Sequence, residues 1–290
     1  MRPSDTVGNT PLLKISDKLY AKFEVFNPTG SIKDRLAAYI INDAEKRNLI
    51  KKGDTIIEAT SGNTGIALSF VGAERGYKVK IVMPRNMSEE RRQMMRLFGA
   101  EIIDVEDGDF DRAIELRDEL AEKNGWFNSN QFFNPLNIEC HEKTTGVEIS
   151  EQTKNIGKIS ALVLGTGTGG TLMGIRRALI NEYPELKVIA CEPAESPVMS
   201  GGEHGVHGIQ GIGDGSRFLV DLKILDEVLL VKTEEAKERA RQLIKENGVF
   251  VGFSSGANVL AAERWIQKNN PDGIVVTILC DRAERYLSLF

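Results

Sequence analysis

A single lysine follows a turn of small residues in the segment NPTGSIKDR (27–35), just before an apolar, helix-like run. One interpretation is a reactive amine, Lys33, whose small neighbours leave room for a reactant to approach. The ordinary interpretation is a helix start in which Ser31 is the N-cap and Lys33 belongs to a solvated first turn. These nine residues alone favour the ordinary interpretation, and both stay open at this point.

The segment GTGTGGT (165–171) follows a predicted strand and opens a predicted helix. Backbone N–H groups at a helix N-terminus, interleaved with threonine hydroxyls, suit a terminal phosphate. The same letters satisfy G-x-G-x-x-G, and Glu192 ends the next predicted strand, where a dinucleotide fold places its ribose-binding acid. The pattern therefore favours a phosphate monoester, with a nicotinamide-dependent dehydrogenase and a plain packing turn as alternatives.

A third glycine turn, GFSSG (252–256), matches the nucleophile elbow of α/β-hydrolases. That fold places its histidine after the serine along the chain. Here the histidines are His141, His204 and His207, and all of them precede Ser254. The hydrolase interpretation fails for this reason, which leaves Ser254 available for another task, such as a hydrogen bond to a ring nitrogen.

The segment TSGNT (60–64) also joins a predicted strand to a predicted helix. Hydroxyls and exposed amides at such a turn suit a carboxylate. The alternative is that Ser61 simply caps the helix, and this segment alone does not decide between the two.

These turns lie between short β-branched runs and helical patterns that alternate along the chain, which predicts mostly parallel sheets with helices on both faces. Ligands of such sheets bind beyond the carboxyl ends of the strands. The pattern restarts near residue 135, which indicates two α/β units, and the glycine-dense segment 200–216 is a candidate mobile loop. The predicted strands are 55–58, 78–83, 101–105, 159–164, 187–191, 227–231 and 273–280, and the predicted helices are 65–75, 89–99, 109–124, 138–153, 171–182, 233–247 and 255–268.

Composition excludes several function classes. The chain has 290 residues, of which 41% are hydrophobic, enough for one large or two modest domains. A net charge of −5 argues against nucleic acid as a partner. The absence of a signal-peptide pattern, and of an apolar run near ~18 residues, predicts a cytoplasmic protein without membrane spans.

The cysteines and histidines predict no metal site. The three cysteines, Cys140, Cys191 and Cys280, are widely spaced and odd in number, which indicates free thiols in a reducing compartment. His204 and His207 are three residues apart, but no further ligand motif accompanies them.

In chain order, the motifs GNTPL (8–12), NPTGSIKDR, TSGNT, NQFFNP (130–135), GTGTGGT, GFSSG and ERYLS (284–288) resemble the cysteine synthase (O-acetylserine sulfhydrylase) family of pyridoxal-phosphate enzymes, which includes cystathionine β-synthase. The resemblance runs nearly end to end. It implies the tryptophan synthase β-like fold (fold type II), with two three-layer α/β domains, mostly parallel twisted sheets, and the cofactor in the cleft between them. The implied domains are a smaller, mobile substrate-closing domain (37–134) and a larger cofactor-binding domain (1–36 plus 135–290).

The resemblance also implies roles for individual residues. Lys33 would form the Schiff base with pyridoxal 5′-phosphate and later remove the substrate α-proton. Asn63 would bond the 3′ oxygen of the ring, and Ser254 would face the pyridine nitrogen. The residues that would hold the phosphate are Gly167, Thr168, Gly169, Gly170 and Thr171. Those that would bind the substrate carboxylate are Thr60, Ser61, Thr64 and Gln131.

The implied reaction is β-replacement, with O-acetyl-L-serine and sulfide giving L-cysteine and acetate. One departure affects this expectation: GIGDG (211–215) stands where cysteine-producing members often read GIGAG. Asp214 is therefore either a solvated loop acid or a general base that activates water, so that cysteine would give serine and hydrogen sulfide. A dehydrogenase, and a cofactor-bearing binding protein without turnover, are the alternatives from other classes.

The resemblance further implies a homodimer. Whether the tail of a serine acetyltransferase docks at the pocket is left open by the sequence.

Overall fold

The computed structural model describes residues 1–60 and 62–290, and the chain divides into two compact units. The first unit comprises Met1–Val7 and Asn27–Leu136, and the second comprises Gly8–Phe26 and Asn137–Phe290. Residues 27–36 cluster with the first unit, whereas the resemblance implied that they belong with the larger domain. The division into a substrate-closing and a cofactor-binding domain stays a prediction.

Strands and helices alternate along both units, as the sequence predicts. The strands are β1 (Leu12–Lys14), β2 (Leu19–Phe23), β3 (Thr55–Ala59), β4 (Lys78–Pro84), β5 (Glu101–Val105), β6 (Phe127–Asn128), β7 (Ile159–Gly165), β8 (Lys187–Pro193), β9 (Glu227–Val231) and β10 (Ile274–Leu279). The α-helices are α1 (Lys33–Lys46), α2 (Asn63–Arg75), α3 (Glu89–Leu97), α4 (Phe110–Asn124), α5 (Leu136–Lys143), α6 (Thr145–Thr153), α7 (Gly170–Leu179), α8 (Thr233–Asn247) and α9 (Phe253–Asn269).

The structure differs from the predicted elements in a broken helix and in short strands that were not predicted, besides shifts of element ends. The helix predicted over 138–153 is interrupted, because α5 ends at Lys143 and α6 begins at Thr145. Strands β1, β2 and β6 are too short or too weakly patterned to be predicted from periodicity.

The first unit contains a parallel sheet in the order β5-β4-β3-β6. The central strand β3 carries apolar residues on both faces, since Ile56, Ile57 and Ala59 are all buried. A strand covered on both sides reads as a continuous apolar run, which is typical of parallel sheets. Helix α2 is buried over most of its length. Its C-cap, Gly76, has a left-handed backbone (φ 77°), and the Gly76 N–H donates to the Gly72 carbonyl oxygen.

The second unit contains a sheet in the order β1-β2-β10-β7-β8-β9, in which only the β1–β2 pair is antiparallel. Its central strand β10 is buried at every position. Buried Lys22 on β2 donates to Glu148 on α6 at 2.7 Å, which ties the edge hairpin to the helical layer. The mostly parallel α/β architecture predicted from the sequence is confirmed.

The three cysteines are free thiols, as predicted, and Cys140 and Cys191 are buried. Burial raises the pKa of the Cys191 thiol to about 12, with smaller contributions from Cys280 and Glu192. This thiol is therefore protonated at neutral pH and is not a nucleophile. None of the helices formed by residues 1–60 and 62–290 is long and apolar enough to cross a membrane.

Close packing of α7 on α5 in the second unit gives the first prediction. A Cβ atom at position 174 would meet the Ile138 carbonyl oxygen and would lie 2.7 Å from His141 Cβ. We expect Gly174→Ala to lower the free energy of unfolding by about 2–3 kcal/mol, because the clash involves backbone. Urea unfolding measures this, with exposed Lys245→Ala as a control that should change it by less than about 0.5 kcal/mol. Equal stability of Gly174→Ala and wild type would contradict the packing argument.

Candidate active site

Lys33 is the first residue of α1 and is half-buried. The turn before it is held by buried Asp34, which accepts hydrogen bonds from the backbone N–H of Thr29, at 2.6 Å, and from the Thr29 hydroxyl. The expectation that Ser31 is the N-cap is wrong by one residue, because Ile32 occupies that position. The Ser31 hydroxyl still accepts the Lys33 N–H at 3.3 Å. Lys33 therefore begins a helix behind a turn that buried hydrogen bonds fix.

The polar residues predicted to bind a carboxylate meet at the carboxyl end of β3. The Thr64 hydroxyl donates to Gln131 Oε1 at 2.6 Å, and Gln131 Nε2 donates to the Ala59 carbonyl oxygen at 2.9 Å. Thr60, Thr64 and Gln131 are all buried. The structure thus brings residues of the TSGNT and NQFFNP motifs together, while the prediction for Ser61 lies outside the described residues.

A buried arginine packs against the same turn. A Cβ atom at position 62 would lie 2.7 Å from Arg91 Nε. Any residue larger than glycine at this position would therefore clash with the Arg91 side chain. Asn63 follows as the first residue of α2 and is half-buried. A guanidinium beside a turn of hydroxyls favours an anionic ligand. Arg91 was not among the site residues predicted from the sequence. The signal that could have indicated it is an arginine on the face of α3 that the amphipathic pattern places toward the core.

Sequence reasoning also missed a buried ion pair behind Gln131. The Glu58 carboxylate accepts hydrogen bonds from Arg117 at 2.8 Å, from the Ser129 hydroxyl at 2.7 Å and from the Gln131 backbone N–H at 2.9 Å. Burial opposes the charge of Arg117, but Glu58 and Asp118 outweigh it and raise the pKa of the guanidinium. The signal for this pair is a glutamate inside the apolar run of β3.

The glycine-threonine turn of the second unit joins β7 to α7. Gly169 is the N-cap of α7 and has a left-handed backbone (φ 86°). A Cβ atom at position 167 would lie 2.7 Å from the Gly211 carbonyl oxygen, and one at position 170 would meet the Asn137 side chain. Glycine is required at these positions because the backbone of the turn is closely surrounded.

The hydroxyls of Thr168 and Thr171 in this turn lie next to polar side chains of α5. Asn137 Nδ2 donates to Thr168 Oγ1 at 3.0 Å, so the hydroxyl hydrogen of Thr168 remains available to donate to a ligand. Thr171 Oγ1 lies 3.2 Å from His141 Nε2. Backbone N–H groups at the start of α7, together with oriented hydroxyls, fit the phosphate group of a cofactor.

Asp214 lies against the same turn. Its Oδ2 atom would be 2.8 Å from a Cβ atom at position 167, and the side chain is half-buried. The Gly213 N–H donates to the Thr166 carbonyl oxygen at 3.0 Å, which pins the loop that carries Asp214. Asp214 is therefore a half-buried acid beside this turn, and its role as a general base stays a prediction.

Ser254 lies in the first turn of α9 and is buried, since that helix begins at Phe253, two residues before the predicted start. Asn258, one turn further on, accepts the Gly165 N–H at 2.7 Å, which joins the start of α9 to the end of β7. Ser254 and the glycine-threonine turn therefore belong to elements that pack on each other within the second unit.

The dehydrogenase interpretation required Glu192 to be available for binding a ribose, and the structure does not support this. Glu192 is buried and accepts the Met199 N–H at 2.8 Å, and the N–H and hydroxyl of Ser200 at 2.9 Å and 2.6 Å. A carboxylate used in this way by its own loop is not presented to a ribose.

The loop histidines are also engaged locally. His204 Nδ1 lies 3.0 Å from the Ser196 hydroxyl, and His207 Nε2 lies 3.0 Å from the Gly213 carbonyl oxygen. Across residues 1–60 and 62–290, no group of three or more His, Cys, Asp or Glu is arranged to hold a metal ion.

Comparison with known proteins assigns the family. A family model described as pyridoxal-phosphate dependent enzyme matches residues 3–281. The chain belongs to this family. It is accordingly a pyridoxal-phosphate-dependent enzyme of the cysteine synthase type, and the predicted cofactor and fold class are confirmed.

Relatives that are described with different activities align with this chain over most of its length. A cysteine synthase of Staphylococcus aureus is 43% identical over 97% of this chain and 94% of its own. A hydrogen sulfide-producing enzyme from Fusobacterium nucleatum is 41% identical, with a TM-score of 0.93, covering 98% of this chain and 89% of that one. A cysteine synthase from Entamoeba histolytica is 38% identical, with a TM-score of 0.91, covering 99% of this chain and 89% of that one. Membership in this family therefore fixes the cofactor but leaves several reactions open.

The hydroxyl of Thr168 gives a prediction about cofactor binding. We expect Thr168→Val to weaken the binding of pyridoxal phosphate about tenfold, because a charge-assisted hydrogen bond to the phosphate is lost. Thr168→Ser keeps the hydroxyl and should stay near wild type. The measurement is titration of the apoenzyme with the cofactor.

A matched control is Thr153→Val, which removes a buried hydroxyl that donates to the Ile149 carbonyl oxygen within α6. It should leave cofactor affinity unchanged. Wild-type affinity in Thr168→Val would show that Thr168 does not hold the phosphate.

Proposed function

We propose that the enzyme converts O-acetyl-L-serine and sulfide to L-cysteine and acetate. The observation that carries the proposal is the hydrogen-bonded pair Thr64–Gln131 beside Thr60 at the end of β3. This cluster of hydroxyl and amide groups suits the carboxylate of a small amino acid. The cysteine synthases among its relatives support the choice of reaction.

Pyridoxal phosphate, when bound, supplies an electron sink for charge that develops at the substrate α-carbon. Lys33 would carry the cofactor through its amine and, once displaced by the substrate amine, would take the α-proton on Nζ. Its place at the start of α1, behind a turn held by Asp34, limits the positions the amine can adopt.

The remaining proposed ligands orient the reactants. The turn residues Gly167, Thr168, Gly169, Gly170 and Thr171 would hold the phosphate, and Asn63 would hold the 3′ oxygen. Ser254 would offer a neutral hydroxyl to the ring nitrogen, which weakens the electron sink and favours prompt loss of a β-leaving group. Thr60, Ser61, Thr64 and Gln131 would bind the carboxylate, and that capture would draw the smaller domain closed.

The role of Lys33 is tested by comparing two lysines of the same helix. Lys33→Ala should lose the visible absorbance of the bound cofactor and at least about 10³-fold of the O-acetylserine-dependent formation of cysteine. Exposed Lys46→Ala, at the other end of α1, should keep both. Borohydride reduction and peptide mapping of wild type should place the pyridoxyl group on Lys33. An unaltered spectrum in Lys33→Ala would refute the assignment.

Asp214 favours a second candidate function, the release of hydrogen sulfide from cysteine. Its carboxylate lies against Gly167 in the second unit. A negative charge there disfavours approach of the hydrosulfide anion and provides a base for water. Water oxygen would bond to the substrate β-carbon in place of sulfur while Asp214 accepts a water proton. The sum is cysteine plus water giving serine plus hydrogen sulfide. Relatives of this chain are described as hydrogen sulfide-producing enzymes, without the reaction being named.

Asp214→Asn distinguishes the two candidates. If Asp214 is the base, the variant should lose about 10²-fold of sulfide release from cysteine while keeping cysteine formation from O-acetylserine. Glu203→Gln, an exposed acid in the same loop, should change neither rate. Sulfide release that is unaffected by Asp214→Asn would exclude the base role.

The homodimer implied by the resemblance and the cytoplasmic location predicted from the sequence pattern stay predictions. Sedimentation equilibrium of the purified enzyme measures the first directly.

A further inference from the structure

Glu58, two residues before the turn that is proposed to bind the carboxylate, forms a buried ion pair with Arg117. Both side chains are almost entirely buried, at 0% and 1% exposure. The Glu58 carboxylate accepts hydrogen bonds from Arg117, Ser129 and the backbone N–H groups of Ala59 and Gln131. A buried carboxylate with this many donors is satisfied, and removal of a partner leaves a charge without compensation.

The two oxygens of Glu58 serve different elements. Oε1 bonds Arg117 of α4 and the end of its own strand, whereas Oε2 bonds the Ser129 hydroxyl and the Gln131 backbone. The carboxylate therefore connects α4 to the turn that follows β6. Arg117 holds the carboxylate through Oε1, and Oε2 holds the turn through Ser129 and Gln131.

The turn that Glu58 holds has a demanding backbone. Asn130, between the two bonded residues, has a left-handed conformation (φ 50°), which non-glycine residues adopt rarely. Its N–H donates to Asn128 Oδ1 at 2.9 Å, and Asn128 Nδ2 donates to Asp118 at 2.8 Å. Asp118 in turn accepts from Arg117 Nε at 2.9 Å. The same arginine thus supports the turn from two directions.

This turn determines where the Gln131 amide points. With the backbone fixed by Glu58, Nε2 reaches the Ala59 carbonyl oxygen and Oε1 accepts the Thr64 hydroxyl. The orientation of the Thr64 hydroxyl therefore depends on a charge pair that lies behind the turn.

We propose that Glu58 and Arg117 are positioning residues that orient the Gln131 side chain for the α-carboxylate of the substrate. The inference rests on the proposed function, since it needs Gln131 to be a carboxylate ligand. The pair itself does not touch the substrate. Its effect falls on carboxylate recognition, so the pair favours amino acids over the corresponding amines that lack the carboxylate.

The test compares two ligands of the holoenzyme, L-serine and ethanolamine, which share an amine and a hydroxyl but differ in the carboxylate. Titration of the cofactor absorbance with each ligand gives two dissociation constants. Arg117→Met should lower the preference for L-serine over ethanolamine about tenfold, through weaker L-serine binding alone. Arg117→Lys keeps the charge without the fork of donors and should restore part of the preference.

Arg92→Met is the matched control, because Arg92 forms a 2.7 Å ion pair with Asp104 in the same unit, outside the contacts of Gln131. It should leave the preference unchanged. If Arg117→Met does not fold, Ser129→Ala tests the same support, since it removes only one bond to Glu58. This variant should lower the preference about threefold.

Gln131→Ala separates failure of this inference from failure of the proposed function. A loss of L-serine preference in Gln131→Ala, but in neither Arg117→Met nor Ser129→Ala, would overturn the positioning role. An unchanged preference in Gln131→Ala would show that the carboxylate site itself was wrongly assigned. A parallel loss of affinity for both ligands in Arg117→Met would indicate general structural damage and would also reject the proposal.

Discussion

Close backbone packing at the carboxyl ends of parallel strands is the constraint on which both polar turns depend. In the first unit, the turn after β3 has no room for a residue larger than glycine at position 62, because the Arg91 side chain occupies the adjacent space. In the second unit the turn after β7 is enclosed by the Gly211 backbone and Asn137, which requires glycine at 167 and 170. Because the strands are buried on both faces, the polar side chains are mostly found in the turns that follow them. The helix after each turn also presents its N-terminal N–H groups there. Packing therefore decides where polar chemistry is possible.

Polar side chains behind the turns then determine how the threonine hydroxyls of the turns are oriented. Thr168 receives a hydrogen bond from Asn137, which leaves its own hydroxyl hydrogen for a ligand. Thr64 is aimed by Gln131, which Glu58 supports in turn. Each supporting group is buried and hydrogen-bonded, so its removal costs both the bond and the desolvation of its partner. The rigidity of both turns follows from this second layer of contacts.

The family resemblance limits the chemistry without selecting one reaction. Relatives of similar identity and near-equal structural likeness are described as cysteine synthases and as hydrogen sulfide-producing enzymes. A shared fold and cofactor supply carboxylate capture and activation at the α-carbon, whereas the incoming nucleophile depends on a few side chains at the site. We propose Asp214 as such a side chain, since its carboxylate would change the charge that a nucleophile meets.

The sequence by itself determined the alternation of strands and helices, the glycine turns and, through the ordered motifs, the cofactor, and it predicts Lys33 as the reactive lysine. These are local or motif-bound properties, carried by residues near one another in the chain. The helix break at Thr144, the short strands β1, β2 and β6, and the one-residue shift of the α1 N-cap were not evident, because periodicity does not resolve boundaries or short edge strands. Only the tertiary structure revealed that Glu58 pairs with Arg117, that Asp214 lies against Gly167 and that Glu192 is taken up by its own loop. Such contacts join residues far apart in sequence, and their partners are chosen by packing rather than by local pattern.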